Sequence, residues 1–206
     1  MAKYRNWLWL LLFGSLWGIN EVVVGEILYE LDVPHSSVIL TAIALLILAM
    51  ARGMINRPAS STLAGGVAVV FRLVNTAPSY CHLLGIFLLG MVFDIFASIL
   101  LAEKTKVSWK HGLTGLASAY GNNIVFAVLM AYIIRYEYWV AEGLPKLTRH
   151  IFSSGTLLAV ASIFMVPLGF WLGVNSGTLA EKRPYWSYGG MFLCTVAIWT
   201  AAFLLA

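Results

Sequence analysis

The residues of this chain able to do chemistry are few and far apart. Glu21, Arg72, His82, Asp94 and the Asn122–Asn123 pair each fall inside a long apolar stretch. An ionisable group at membrane depth costs several kcal/mol unless it is paired or hydrated, so such groups face a bundle interior or a wet cavity. Glu21 and Arg72 together can bind the opposite charges of a polar solute, or can simply lock two helices. Each carboxamide of Asn122 and Asn123 offers two donors and an acceptor, which suit ligand reading or interhelical bridging. Asp94 is a candidate proton or ion site, or the partner of a basic group. His82 is a candidate ligand contact. His35, His82 and His150 share no helical ligand spacing, so no metal or haem site, and no cofactor, is expected.

Helical periodicity shows which faces carry these groups. In the first apolar run, Trp7–Gly25, the residues Gly14, Gly18, Glu21 and Gly25 form one stripe of small residues and a single carboxylate. In the third, Pro58–Ala77, the stripe is Ser61, Gly65, Ala68, Arg72 and Asn75, while Leu63, Val67, Val70 and Val74 take another face. Both charges therefore point inward. Each lies 14 residues past its helix start, roughly 21 Å in at about 1.5 Å per residue. The spacing predicts that Glu21 and Arg72 meet at matching height, with Asn75 beside them. Asn122 shares a face with Gly115 and Ser118, and Asp94 with Gly90, Ala97 and Ser98. Trp17 stands one turn from Glu21 and can form a pocket wall.

The elements that must hold these residues follow from composition. Hydrophobic residues make up 61% of the 206, and charged residues only 11%, against about 25% charged in soluble domains. So few polar residues cannot skin a soluble fold. The expected architecture is a single all-α domain over residues 1–206, a polytopic transmembrane bundle of six to seven helices. The remaining candidate spans are Ser36–Ile55, Ser79–Ala102, Gly112–Trp139, Ile151–Val174 and Tyr188–Ala206. The third and the seventh are the weakest crossings. Proline and serine near Pro34, Pro58 and Pro78 suit helix starts, and Pro167 predicts a kink. With a cytoplasmic N-terminus and seven crossings, nine Lys and Arg fall inside, Arg52 among them, against Arg135, Lys146 and Arg149 outside. That asymmetry fits a multi-pass cell-membrane protein. The net charge of +4 is spread over separate loops, so nucleic acid is not an expected partner. Cys81 and Cys194 read as small core residues without a redox motif. Trp and Tyr flanking the spans, Trp139 among them, read as an aromatic belt.

No zinc-protease, serine-hydrolase or nucleotide-binding motif is present. Small size and the small-xxx-small faces Gly14/Gly18 and Ala64/Ala68 make Trp7 to about Ala102 resemble the substrate-binding S components of energy-coupling factor transporters. The resemblance implies that these faces dock a coupling membrane subunit served by ATPases. It also implies a ligand pocket that opens outward beneath the connection between the first two helices, here Glu26–Ser37. The expected function is that of a small-solute-binding membrane subunit of a transporter, with Glu21, Arg72, Asn75, His82, Asn122 and Asn123 at the pocket between the first, third, fourth and fifth spans. Seven spans would depart from the six usual in that family. Two further readings stand beside it. One is a membrane-embedded enzyme acting on a lipid or isoprenoid-linked substrate, with Glu21 or Asp94 as general base and Arg72 as phosphate clamp. The other is a subunit whose polar groups only pair helices.

Overall fold

The computed structural model describes residues 2–75, 79–101, 107–182 and 184–205, without the side chains of 2–5, 75, 186 and 205. The helices are α1 (Ala2–Ile19), α2 (Gly25–Glu30), α3 (Ser36–Ile55), α4 (Ser60–Asn75), α5 (Tyr80–Leu100), α6 (Trp109–Val128), α7 (Glu137–Glu142), α8 (Leu144–Arg149), α9 (Gly155–Lys182) and α10 (Pro184–Leu205). Single wide π-turns at Asn20–Val24 and His150–Ser154 join α1 to α2 and α8 to α9, and a third, Leu129–Ile133, extends α6. Among the described residues six helices are long and apolar enough to cross a membrane. The third predicted span is the exception. Among the described residues α4 has 16, which reach about 24 Å at about 1.5 Å each, against a bilayer core of about 30 Å.

Six elements close into a ring. α1 packs on α4, α4 on α5, α5 on α6, α6 on α9, α9 on α3, and α3 back on α1. Lipid tails are as apolar as leucine, so burial alone does not drive such contacts; close approach and interhelical polar bonds do. Small residues supply the first. A methyl group at Gly169 or Gly173 of α9 would run into the backbone carbonyl of Leu46 or Met50 on α3. Gly14 lies against Ala64 and Val67 of α4, and Gly18 against Phe71. Ala64 and Ala68 are fully buried. The two faces that the family resemblance assigns to a coupling subunit are thus occupied within the chain, and such a subunit needs another surface.

α10 stands outside the ring. It leans mainly on α1, and only 11% of its apolar window is buried. Trp199 Nε1 donates to Ser15 Oγ at 2.8 Å, and the Trp199 ring meets Phe71 edge-on, 4.9 Å between centroids.

Several sequence expectations need correction. The fifth span ends at Ile133, where Arg135 takes a left-handed conformation, and Trp139 lies beyond it on α7. Trp139 is buried rather than interfacial, with Phe126 and His150 set edge-on to it. The serines are not side-chain caps: His35 is the N-cap of α3, and Ser79 at the start of α5 makes no capping bond. Neither cysteine is core; Cys81 is half-buried and Cys194 exposed. Arg52, counted with the cytoplasmic loops, is 2% exposed inside α3. Lys104, Lys106 and Arg183 lie outside the described residues.

Candidate functional site

At the end of the bundle where α2 turns into α3, the ring encloses a cavity of about 450 Å³. Every member of the ring lends it a wall, and α10 lends none. About two-thirds of that wall is apolar, with Trp17, Ile86, Leu89 and Phe126 prominent. Ligand sites commonly have this make-up: a mostly apolar hollow of 300–1,000 Å³ with a few placed polar groups.

Glu21 reaches the cavity from the π-turn Asn20–Val24. A π-turn adds a residue to the helical circuit and re-aims the side chains beyond it, which is why such turns recur at functional sites. Asn20 anchors the turn by donating to the Leu40 carbonyl of α3 at 3.3 Å. Trp17 Nε1, one turn earlier, donates to Glu21 Oε1 at 3.1 Å and fixes the carboxylate. Arg72 comes from the neighbouring α4. Its Nη1 donates to the Glu21 backbone carbonyl and stands 3.7 Å from Oε2. The acid and base of the first and third spans therefore meet, but beyond hydrogen-bond length.

His82 joins the wall from α5, with its Nδ1 3.2 Å from Ser79 Oγ. Asn122 and Asn123 enter from α6. Asn123 Nδ2 donates to the Ala119 carbonyl at 2.8 Å, and Asn122 Oδ1 is buried with no hydrogen-bond partner among the described residues. Glu26, Tyr29, Ser36 and Ser37 line the rim, so the α2–α3 connection stands over the hollow. The side chain of Asn75 lies outside the described residues. Tyr29, Cys81, His150 and Ser154 are wall residues that sequence reasoning missed. His150 and Ser154 sit on a π-turn, and a turn of that kind shifts the face that 3.6-residue periodicity assigns.

Asp94 is elsewhere. It faces Arg52, with Nη1 3.0 Å from Oδ1. Its Oδ2 accepts from Thr62 N at 3.2 Å and Thr62 Oγ1 at 3.0 Å, and Arg52 Nη2 reaches Ser98 Oγ at 3.1 Å. Thr62 lies in the first turn of α4, so a carboxylate from α5 caps α4 in place of a local serine. These bonds tie α3, α4 and α5 together at the end away from the cavity, and Asp94 is engaged in them rather than presented to a solute.

The arrangement gives one wall a negative and a positive group side by side and another wall two carboxamides, and the rest of the lining is largely apolar. Compared with known proteins, the chain matches no protein-family model, no curated protein and no solved structure.

Proposed function

We propose that this chain is the solute-binding membrane subunit of a transporter, taking a small polar molecule into the cavity beneath the α2–α3 connection. One observation carries the reading: five of the six residues named from sequence (Glu21, Arg72, His82, Asn122 and Asn123) line a single hollow of about 450 Å³. A bundle held only by polar cross-links has no need of that volume, since packed interiors leave few voids larger than a water molecule. Glu21 and Arg72 bind opposite charges of the solute, and His82, Asn122 and Asn123 supply hydrogen bonds. Asn75 is part of the same proposal. The chain carries no nucleotide-binding motif, so energy from ATP enters through partner subunits in the cell membrane, docked on a surface other than the Gly14/Gly18 face.

Native mass spectrometry of the purified protein tests this. The wild type retains a small molecule, and Arg72→Ala loses it while still folding, because Glu21 is left without its counter-charge. Asn122→Ala weakens retention less. A folded Arg72→Ala variant that keeps the same molecule equally well removes the proposed site. The enzyme reading keeps only Glu21 as its base, with Asp94 engaged by Arg52 and Thr62.

A further inference from the structure

The ring sorts the polar groups of the cavity into two poles. In the order α1, α4, α5, α6, α9, α3, helix α6 is the member opposite α1. Glu21 and Arg72 enter the hollow from the turn after α1 and from α4, and Asn122 and Asn123 enter it from α6. The hollow these helices enclose is about 450 Å³. Side chains entering from both sides leave room for one small molecule rather than an extended peptide.

The first pole sets the charge pattern of that molecule. Trp17 holds Oε1 of Glu21, and Oε2 is turned toward Arg72 at 3.7 Å. A cation and an anion at the two ends of a long solute cannot both reach groups this close. An ammonium and a carboxylate borne on one carbon can, the ammonium on Glu21 and the carboxylate on Arg72. The second pole sets the hydrogen-bond sign. Asn123 donates one N–H to the Ala119 carbonyl, and Asn122 Oδ1 is a buried acceptor without a partner among the described residues. A buried acceptor left without a donor is costly, so this pole calls for an N–H donor. Between the poles the wall is Trp17, Ile86, Leu89, Phe126 and Leu158, which suits a flat apolar body.

We infer that the solute is an α-amino-acid zwitterion whose aromatic side chain ends in an N–H donor, with the α-carbon groups on Glu21 and Arg72 and the ring N–H on Asn122 Oδ1. The inference rests on the solute-binding reading above and narrows it.

Calorimetric titration of the purified protein tests it with four probes: L-tryptophan, tryptamine (no carboxylate), indole-3-propionate (no ammonium) and L-phenylalanine (no ring N–H). L-Tryptophan is expected to bind about tenfold or more tighter than each of the others, the margin of one lost hydrogen bond to a charged or buried group. Asn122→Leu should bring tryptophan down to the phenylalanine level and leave phenylalanine unchanged, a selective loss that a merely structural asparagine would not give. Equal binding of tryptamine or indole-3-propionate overturns the zwitterion assignment, and equal binding of phenylalanine overturns the N–H assignment. If none of the four binds while native mass spectrometry finds another retained solute, this inference falls and the solute-binding reading stands. If none binds and nothing is retained, both fall.

Discussion

Replacing Asp94 by alanine removes the polar junction farthest from the cavity. The carboxylate answers Arg52 at 3.0 Å and accepts two bonds from Thr62 at 3.2 and 3.0 Å. Its loss leaves a guanidinium that is only 2% exposed without a counter-charge. Breaking a buried pair from one side costs about 3–5 kcal/mol, because the survivor cannot be hydrated. The cap of α4 goes with it, a further 0.5–2 kcal/mol or so. For a chain of this size the first figure alone lowers the unfolding midpoint by about 6–20 °C, at 2–4 °C per kcal/mol. The assay is the fraction of protein still monodisperse in detergent after heating. Asp94→Asn keeps the shape and should lose nearly as much, since the charge is what Arg52 lacks. The double variant Arg52→Met/Asp94→Leu should recover most of the loss, as apolar replacements of buried pairs commonly do. A single Asp94→Ala variant that melts within about 2 °C of wild type, less than 1 kcal/mol on the same scale, would refute the assignment of this junction as a tie between α3, α4 and α5.

Gly18→Val places a Cβ 2.5 Å from the Phe71 ring; overpacking should cost about 1–3 kcal/mol, read as a lowered melting midpoint, while Gly66→Val, with open space around it, should change little. In a Cys194→Ser background, Cys81 in the cavity wall should react with a water-soluble thiol reagent added from the α2–α3 side, and Arg72→Ala should raise the preference for a cationic over an anionic reagent; an unreactive Cys81 speaks against a water-reachable hollow. Trp199→Phe keeps the ring contact with Phe71 but drops the bond to Ser15, and should lower stability by about 0.5–1.5 kcal/mol in the same heating assay.

Periodicity captured the inward faces because α1 and α4 are regular helices up to the residues that matter. Ser61, Gly65 and Ala68 are buried, and Leu63, Val70 and Val74 are exposed on the outside of the ring, but Val67, placed on that same outer face, instead packs against Gly14 of α1. Glu21 survived the same reasoning although it lies in a π-turn, because the turn begins only one residue before it. His150 and Ser154 were not placed, since the sixth predicted span begins only at Ile151 and its π-turn, His150–Ser154, has no composition of its own to mark a face. Arg52 escaped because a basic residue near a helix end reads as a loop charge, and only tertiary contact with Asp94 shows it buried. The place of α10 was equally hidden. Its apolar pattern resembles that of a ring helix, and what separates them is the neighbours each acquires.

The contacts that complete α4 carry an expectation for the order in which the chain enters the bilayer. On its own this helix is 16 residues long, carries Arg72, and begins without a side-chain cap from its own serines. Its counter-charge waits on α1, already made, but its cap is Asp94, which emerges some thirty residues later. Until α5 has been synthesised, α4 has little reason to leave the translocation machinery for lipid. The two should be released together as a hairpin, and a ribosome stalled between them should leave the nascent chain with its third crossing unfinished.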